Sequence, residues 1–275
     1  MNKQVIQHII KGHYKKIKKQ LNNIPAAFNP KDIHQFRVTY KKLRAFLRMI
    51  SMQNKTDDKL NISKSIKSCY HLSGLLRDFQ IQQKKITAAT KQEPKKPQEY
   101  FHLLQPQIDK VKLQLSEIIA ANPVAASEHK TNKNIPDKFL QKDLNLYAKE
   151  KRDEVYKILT ASSFSQQTLH TIRKYLKDLF YNLKKNKGLP KHIRAKMNEK
   201  YFKKLLDELG NFQDMCAGLA LLKPYWLKKL NKYNQQLLNR IKKEWTKDKA
   251  AMKHLLVTKL QTDFKTHPMD MLVVK

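Results

Sequence analysis

The sequence predicts an all-α protein built from two pseudo-symmetric four-helix bundles. Long segments carry apolar residues at spacings of three and four, which is typical of amphipathic helices, and no segment alternates like a β-strand. Only 5 glycines occur in 275 residues, fewer than the turns of an all-β fold or the phosphate loops of a nucleotide-binding fold require. A sequence repeat relates the first half of the chain to the second.

Eight helices are predicted, and prolines or glycines mark most of the breaks, because proline cannot continue a helix and glycine often ends one. In the first half the breaks lie at residues 24–30 and 93–97. In the second half they lie at residues 188–190 and at Pro224, and Pro106 is a candidate kink in the fourth helix. The predicted helices span residues 2–22, 31–53, 58–86, 98–121, 137–160, 165–187, 190–222 and 225–262.

The segment between the fourth and fifth helices is predicted to be a linker. Residues 122–136, NPVAASEHKTNKNIP, lose the helical periodicity and collect small and polar residues. Residues 1–121 then form the first four-helix half and residues 137–275 the second.

An internal repeat supports this division. The offset that pairs His34 with His170 also pairs, without a gap, Arg37 with Arg173, Lys41 with Lys177, Leu43 with Leu179, Leu47 with Leu183, Arg48 with Lys184, Lys67 with Lys203, Gly74 with Gly210 and Asp78 with Asp214. Single Lys or Leu matches mean little in this composition, whereas His, Gly and Asp agree in one register. The pattern predicts an internal duplication.

Two stripes run along the predicted helix over residues 33–50. One is apolar and predicted to be core, and it consists of Ile33, Phe36, Tyr40, Leu43, Leu47 and Ile50. The other, about 100° round the helix, consists of His34, Arg37, Lys41, Arg44 and Arg48. Like charges at these spacings repel, and residues 33–56 contain no Asp or Glu to relieve the repulsion. A bound anion would neutralise the basic stripe, which is about 21 Å long at helical rise.

The second half repeats both stripes. Leu169, Ile172, Leu176, Leu179 and Leu183 form the apolar one, and His170, Arg173, Lys177 and Lys184 the basic one. Phe180 stands where the first copy has Arg44. If the halves pack about a pseudo-two-fold axis, the basic stripes face each other across one groove, which suits a chain of phosphates.

The overall charge agrees with a polyanion ligand. Lys and Arg total 57 and Asp and Glu 23, which gives a formal net charge of +34. This charge alone leaves a membrane surface, a nucleic acid and a phosphate polymer open. No apolar run approaches the roughly 18 residues that span a bilayer, and the N-terminus lacks the features of a signal peptide. With Cys69 and Cys216 expected to be reduced, the protein is predicted to be cytoplasmic and without a membrane partner.

Catalysis, a metal and a cofactor are not expected. The 10 histidines form no HExxH motif, and a charge of +34 opposes cation binding. No Ser or Cys lies in a recognisable activation motif. Acidic residues are scarce, and two of them, Asp78 and Asp214, occupy matching positions of the repeat. They are expected either to orient basic ligand-binding groups or to form ion pairs between helices.

Four motifs in this order make the sequence resemble the CHAD domain family, the conserved histidine α-helical domain. They are H-x-x-R-V-x-x-K-K-x-R at 34–44, G-x-x-R-D at 74–78, H-x-x-R-K-x-x-K at 170–177 and L-G-x-x-x-D at 209–214. The resemblance covers nearly the whole chain. It implies two pseudo-symmetric four-helix bundles with a basic central groove or pore that binds inorganic polyphosphate. It also implies an accessory or targeting role on polyphosphate granules, beside a polyphosphate-metabolising enzyme.

The resemblance also implies the ligand residues. In the first half they are His34, Arg37, Lys41, Arg44 and Arg48, with Lys67 and Lys16 as weaker candidates. In the second half they are His170, Arg173, Lys177 and Lys184, with Lys203 and Arg152 as weaker candidates. The sequence departs from the family pattern at Phe180, where a basic residue is expected, and at Gln80, where a second acid is common.

Three functions follow from these observations, in this order. The first is non-catalytic binding of polyphosphate. The second is binding of nucleic acid, since any basic groove attracts it, although the aromatic residues mostly fall on apolar helix positions and no recognition motif is present. The third is an enzyme acting on phosphate chains, for which an acidic cluster to hold divalent metals is lacking.

Overall fold

The structure, a computed structural model, describes residues 1–53, 60–161, 164–184 and 199–266. Within these ranges the chain forms ten α-helices and no β-strand, with one isolated bridge between Asn2 and Lys138. The helices are α1 (Lys3–Ala27), α2 (Pro30–Ile50), α3 (Lys64–Ala89), α4 (Gln98–Ala120), α5 (Pro123–Asn132), α6 (Gln141–Leu159), α7 (Gln166–Leu179), α8 (Glu199–Leu221), α9 (Pro224–Leu227) and α10 (Lys232–Thr266). The predicted all-α class is confirmed.

The first break lies later than the prolines predicted. Pro25 lies inside α1, and the helix ends at Ala27, followed by Phe28 in a left-handed backbone conformation at φ 49°. A proline inside a helix lacks the N–H donor and crowds the carbonyl four residues earlier, and α1 ends two residues after Pro25. Asn29 then caps α2 by accepting a hydrogen bond from the Lys31 backbone N–H, and Pro30 occupies the first turn.

The segment predicted to be a linker contains a helix. Residues Pro123–Asn132 form α5, which packs against α1 and α3. The Tyr14 hydroxyl of α1 lies 3.0 Å from Ser127 Oγ and 2.7 Å from Thr131 Oγ1, and all three side chains are buried. The lost periodicity therefore reflects a short polar contact face rather than an unstructured connection. The division into halves at this segment stays a prediction.

Other helix boundaries also differ from the predicted ones. The third helix begins at Lys64 rather than 58, with residues 54–59 outside the described part. Residues 190–198 of the predicted seventh helix also lie outside it. The last long helix begins at Lys232 rather than 225, because α9 ends after one turn and Asn231 accepts the Asn234 N–H at 2.9 Å.

The contact between α2 and the α7 region positions the site. Asn182, in the π-helical turn Phe180–Lys184, donates a hydrogen bond of 2.9 Å to the Ala45 carbonyl of α2. Asp178 of α7 accepts a hydrogen bond of 2.7 Å from Arg48 of α2. The two histidine-led helices therefore pack directly against each other. In the part of the chain that is described, each helix is too short or too polar to cross a membrane.

Candidate functional site

The two stripes predicted on α2 are present. Ile33, Phe36, Tyr40, Leu43 and Leu47 are at most 2 % exposed and form core. Next to them, Arg37, Lys41, Arg44 and Arg48 are half-buried, and His34 is exposed at the start of the helix. A half-buried basic stripe beside a core seam is held by the packing of the helix, so its cations have a fixed position.

Helix α7 presents the matching stripes. Leu169, Ile172, Leu176, Leu179 and Leu183 are buried, whereas Arg173 and Lys177 are half-buried and His170 is exposed. Ser165 caps the helix through a hydrogen bond from the Thr168 backbone N–H to its hydroxyl. The cap fixes where α7 begins, and with it the position of His170 in the first turns.

The stripes of α2 and α7 meet at one partly open space, called here the central cavity. Its volume is about 410 Å³. Six Lys or Arg side chains and three Asp line it, together with one His, two Tyr, one Gln and one Ala. These residues are Arg37, Lys41, Arg44, Arg173, Lys174, Lys177, Asp78, Asp178, Asp214, His170, Tyr70, Tyr181, Gln213 and Ala217. Two helices from different halves of the sequence thus present cations to the same space.

Burial and mutual repulsion lower the pKa values of lysines in the central cavity. Burial, followed by Lys177 and then Arg37, Arg173 and Arg44, lowers the pKa of Lys41 to about 6. Burial and Arg173 lower the pKa of Lys177 to about 8, although Asp207 and Asp214 act in the opposite direction. A group whose charged form is disfavoured this strongly gains most from a nearby anion. The cavity is therefore poised to take negative charge.

Of the two predicted histidines, His170 lines this cavity, whereas His34 is not among the described residues that line it. Burial lowers the pKa of His34, and Arg77, Lys41 and Lys177 lower it further. Burial also lowers the pKa of His170, whose Nδ1 lies 3.2 Å from Gln213 Oε1. Among the described residues, no three His, Cys, Asp or Glu side chains are grouped so as to hold a metal ion.

Each half holds its leading arginine over a glycine. The Arg37 guanidinium donates a hydrogen bond of 2.6 Å to the Tyr70 carbonyl and lies 4.4 Å from the centre of the Tyr70 ring. A Cβ placed on Gly74 would lie 2.5 Å from Arg37 Nη1, and one on Gly210 would lie 3.1 Å from Arg173 Nη2. The two glycines of the repeat therefore make room for the two guanidinium groups. The repeat in the sequence paired Gly74 with Gly210, but it did not show why glycine stands at these positions.

The carboxylates have distinct partners. Asp178 is buried and binds Arg48 at 2.7 Å, so it links α7 to the far end of the α2 stripe. Burial raises the pKa of Asp78. The nearby carboxylate of Asp214 raises the same pKa further, whereas Arg37 and Lys41 lower it. Asp78 and Asp214 line the central cavity beside the basic stripes, while their predicted roles stay predictions, and the sequence missed Asp178.

A second, larger space adjoins the central cavity and is called here the side cavity. Its volume is about 680 Å³. It shares Arg44 and Tyr70 with the central cavity, and its other lining residues are Tyr40, Leu47, Arg48, Ser51, Met52, Leu60, Asn61, Ile62, Lys67 and Lys151. The side cavity therefore extends the basic path from the central cavity toward α3 and α6.

The weaker candidates divide between these spaces and the rest of the surface. Lys67 lines the side cavity. Lys16 and Lys203 are exposed on α1 and α8, and Arg152 binds its neighbour Asp153 at 3.2 Å. Among the described residues, neither cavity has any of these three in its lining. The side chain of Lys184 lies outside the described residues.

Sequence reasoning missed two cations of the site. Lys174 lines the central cavity, where burial and then Arg48 lower its pKa. Lys151 of α6 lines the side cavity, with its ammonium 4.8 Å from the centre of the Tyr175 ring. Lys174 directly follows Arg173, so a wider stripe would have included it. Nothing in the sequence distinguished Lys151 from its neighbour Arg152.

Comparisons with known proteins agree with the motif resemblance. The sequence model described as the CHAD domain matches residues 8–223 of this chain. The crystal structure of the CHAD domain from the plant Ricinus communis superposes with a TM-score of 0.56 at 15% sequence identity, and covers 98% of this chain and 89% of that one. No curated protein sequence matches this chain.

Proposed function

Because this chain belongs to the CHAD domain family, we propose that it binds inorganic polyphosphate in the central cavity and does so without catalysis. The ligand is the one that the family resemblance implies. The chain would act as an accessory module that brings a polyphosphate-metabolising enzyme and the polymer together, in the cytoplasm and on polyphosphate granules.

One observation carries the proposal: cations of α2 and α7 confront each other across the cavity. The charged form of Lys41 of α2 is disfavoured by burial, and further by repulsion from Lys177, Arg37 and Arg173, two of which belong to α7. In the free protein this repulsion is unfavourable, and a ligand with closely spaced negative charges relieves it at many points at once. Arg37 and Arg173 supply planar guanidinium groups for bidentate contacts with phosphate oxygens, and the lysines supply point charges.

The size of the cavity favours a phosphate chain over a nucleic acid. A volume of about 410 Å³ is that of a small-molecule pocket. It accepts a segment of an unbranched phosphate chain, whereas a double helix would have to remain outside. Tyr40 and Tyr70 stack on each other at 4.2 Å and face Arg44, so their rings are engaged within the protein. Proteins that bind single-stranded nucleic acids use exposed aromatic rings on which the bases stack.

The acids of the cavity support a binding role. Asp178 is engaged with Arg48, and Asp78 is surrounded by Arg37, Lys41 and Arg77. Carboxylates in such company orient cations, whereas hydrolysis of phosphate chains generally needs carboxylates that hold divalent metals. We therefore propose that bound polyphosphate leaves the protein unchanged.

A competition titration tests the ligand. Labelled long-chain polyphosphate is displaced by unlabelled polyphosphate, or by single- or double-stranded DNA or RNA, at physiological salt. We expect polyphosphate to compete at least tenfold better per phosphate, an advantage of about 1.4 kcal/mol. Equal or better competition by nucleic acids would show a general polyanion surface or a nucleic-acid site. Incubating the complex with Mg²⁺ and measuring released phosphate tests the absence of catalysis, and steady release would overturn it.

A further inference from the structure

A tyrosine–arginine cluster separates the central cavity from the side cavity. The rings of Tyr40 and Tyr70 lie 4.2 Å apart, and the Arg44 guanidinium carbon lies 5.6 Å and 5.5 Å from their centres. Arg44 and Tyr70 line both cavities. A ligand that passed from one space to the other would therefore move along a guanidinium group held against two aromatic faces.

The positions that match this cluster in the second half are apolar. At the offset of the repeat, Tyr40, Arg44 and Tyr70 correspond to Leu176, Phe180 and Leu206. These three side chains are 0%, 7% and 5% exposed, and the Phe180 ring stacks on Phe202 with a centroid distance of 6.5 Å. The polar junction of the first half is thus matched by buried hydrocarbon in the second.

The side cavity also has the charge expected of a phosphate site. Its lining contains Arg44, Arg48, Lys67 and Lys151 and, among the described residues, no carboxylate. Arg48 donates a hydrogen bond of 2.7 Å to Asp178, which lines the central cavity. Helices α2, α3 and α6 supply these cations. Leu47 of α2 and Ile62, which precedes α3, add apolar side chains to the lining.

We propose that a phosphate chain bound in the central cavity continues past Arg44 into the side cavity, so that the binding path extends on the side of α3 and α6. This inference rests on the proposed function and adds a direction to it. A short oligophosphate fills the central cavity alone, whereas a long chain also uses Lys67 and Lys151. The second half then contributes cations to the central cavity but no further extension of the binding path.

Matched lysine variants test the direction. Lys67→Ala and Lys203→Ala remove cations at corresponding positions of the repeat, and Lys151→Ala removes one from the opposite wall. Each is titrated with tripolyphosphate and with long-chain polyphosphate. We expect Lys67→Ala and Lys151→Ala to weaken long-chain binding about fivefold each, with tripolyphosphate affinity within about twofold of wild type. Lys203→Ala should weaken the binding of long-chain polyphosphate clearly less. Exposed Lys243 of α10 supplies a control for the loss of one charge.

Two outcomes would overturn this inference while leaving polyphosphate binding intact. Equal losses in Lys67→Ala and Lys203→Ala would show a path that extends both ways. No loss in either Lys67→Ala or Lys151→Ala would show that the chain does not enter the side cavity. Failure of the proposed function is recognised separately, because wild-type protein would then show no preference for polyphosphate over nucleic acid.

Replacing the residue at the junction gives an independent test. Arg44→Phe copies the second-half residue into the first half, and Arg44→Lys keeps the charge without the planar group. We expect Arg44→Phe to remove most of the preference for long chains over tripolyphosphate. The slope of log affinity against log salt should fall by roughly 0.7 for each lost phosphate contact. Arg44→Lys should retain part of both. An unchanged chain-length preference in a folded Arg44→Phe protein would contradict the proposed route.

Discussion

Raising the pH from 6.5 to 8.5 is expected to weaken polyphosphate binding about 100-fold. Lys41 has a pKa of about 6 because of burial and of Lys177, Arg37, Arg173 and Arg44, and Lys177 has a pKa of about 8 because of burial and Arg173. A phosphate chain in the cavity favours the charged form of both lysines. Binding therefore takes up protons whenever the pH exceeds the pKa of the free protein.

Linkage sets the size of the effect. Where Lys41 is neutral in the free protein and charged in the complex, affinity falls tenfold per pH unit, or about 1.4 kcal/mol. Two pH units above its pKa of about 6 give about 100-fold. Lys177 adds a further, smaller factor as the pH passes about 8. Internal phosphates of the polymer are ionised throughout this range, so the change comes from the protein.

Calorimetry measures the protons directly. Titrations at pH 7.5 in two buffers with different ionisation enthalpies should report uptake of about one proton per bound chain. Lys41→Arg should lose most of this uptake, because arginine remains protonated at every accessible pH. Tight wild-type binding without proton uptake, or a Lys41→Arg variant with unchanged pH dependence, would refute the reasoning.

The same lysine gives the free protein the opposite pH dependence. Its pKa is about 6 when folded and 10.5 when exposed, so the unfolded state holds more protons between these values. The free energy of unfolding should therefore rise as the pH increases from 6. His13, whose pKa burial, Lys16 and Lys42 lower to about 4, adds the same trend between pH 4 and 6.5. Thermal melts of the free protein that fall over pH 6 to 8.5 would contradict this assignment.

Three further predictions concern single contacts. Combining Arg37→Glu with Arg173→Glu should weaken polyphosphate binding more than about 1,000-fold, since each lost charge contact costs about 2–5 kcal/mol. Helicity and melting temperature should stay near wild type. Normal binding by the double variant, or its unfolding, would show that the stripes are structural. Gly74→Ala should displace the Arg37 guanidinium and weaken binding about tenfold, and Gly210→Ala, with its looser contact, should weaken it less; a titration that reverses this order would contradict the reason given for the two glycines. Tyr14→Phe should lower the free energy of unfolding by about 0.5–1.5 kcal/mol in urea, because the buried hydrogen bonds to Ser127 and Thr131 are lost while both hydroxyls keep other partners; no change would place the anchoring of α5 elsewhere.

The parts of the site that depend on one helix were predictable. Spacings of three and four along residues 33–50 defined both the core seam and the basic stripe, because helical periodicity is a local property of the chain. The repeat carried the same pattern to α7. Phe180 was also recognised as an interruption of the basic stripe, and it is buried against Phe202.

The parts that depend on contacts between helices were not predictable. Tyr70 and Lys151 enter the site because α3 and α6 approach α2, and one sequence does not state which helix faces approach each other. The same ignorance made Lys16 and Lys203 candidates, although both are exposed away from the two cavities. Helix α5 was missed because three hydroxyl groups, rather than an apolar stripe, attach it to α1.

The crowded cations of the central cavity link the lifetime of the protein to its ligand. Burial and the neighbouring cations hold the pKa of Lys41 near 6, so folding removes its proton at neutral pH and costs stability. An apolar residue of similar length would make the free fold more stable, and retaining this lysine sacrifices stability for the proposed binding. A bound chain returns that stability through mass action. Copies without polymer would then be the first to open and to be degraded. Under the proposed function, the abundance of the protein in a cell would rise and fall with the supply of polyphosphate.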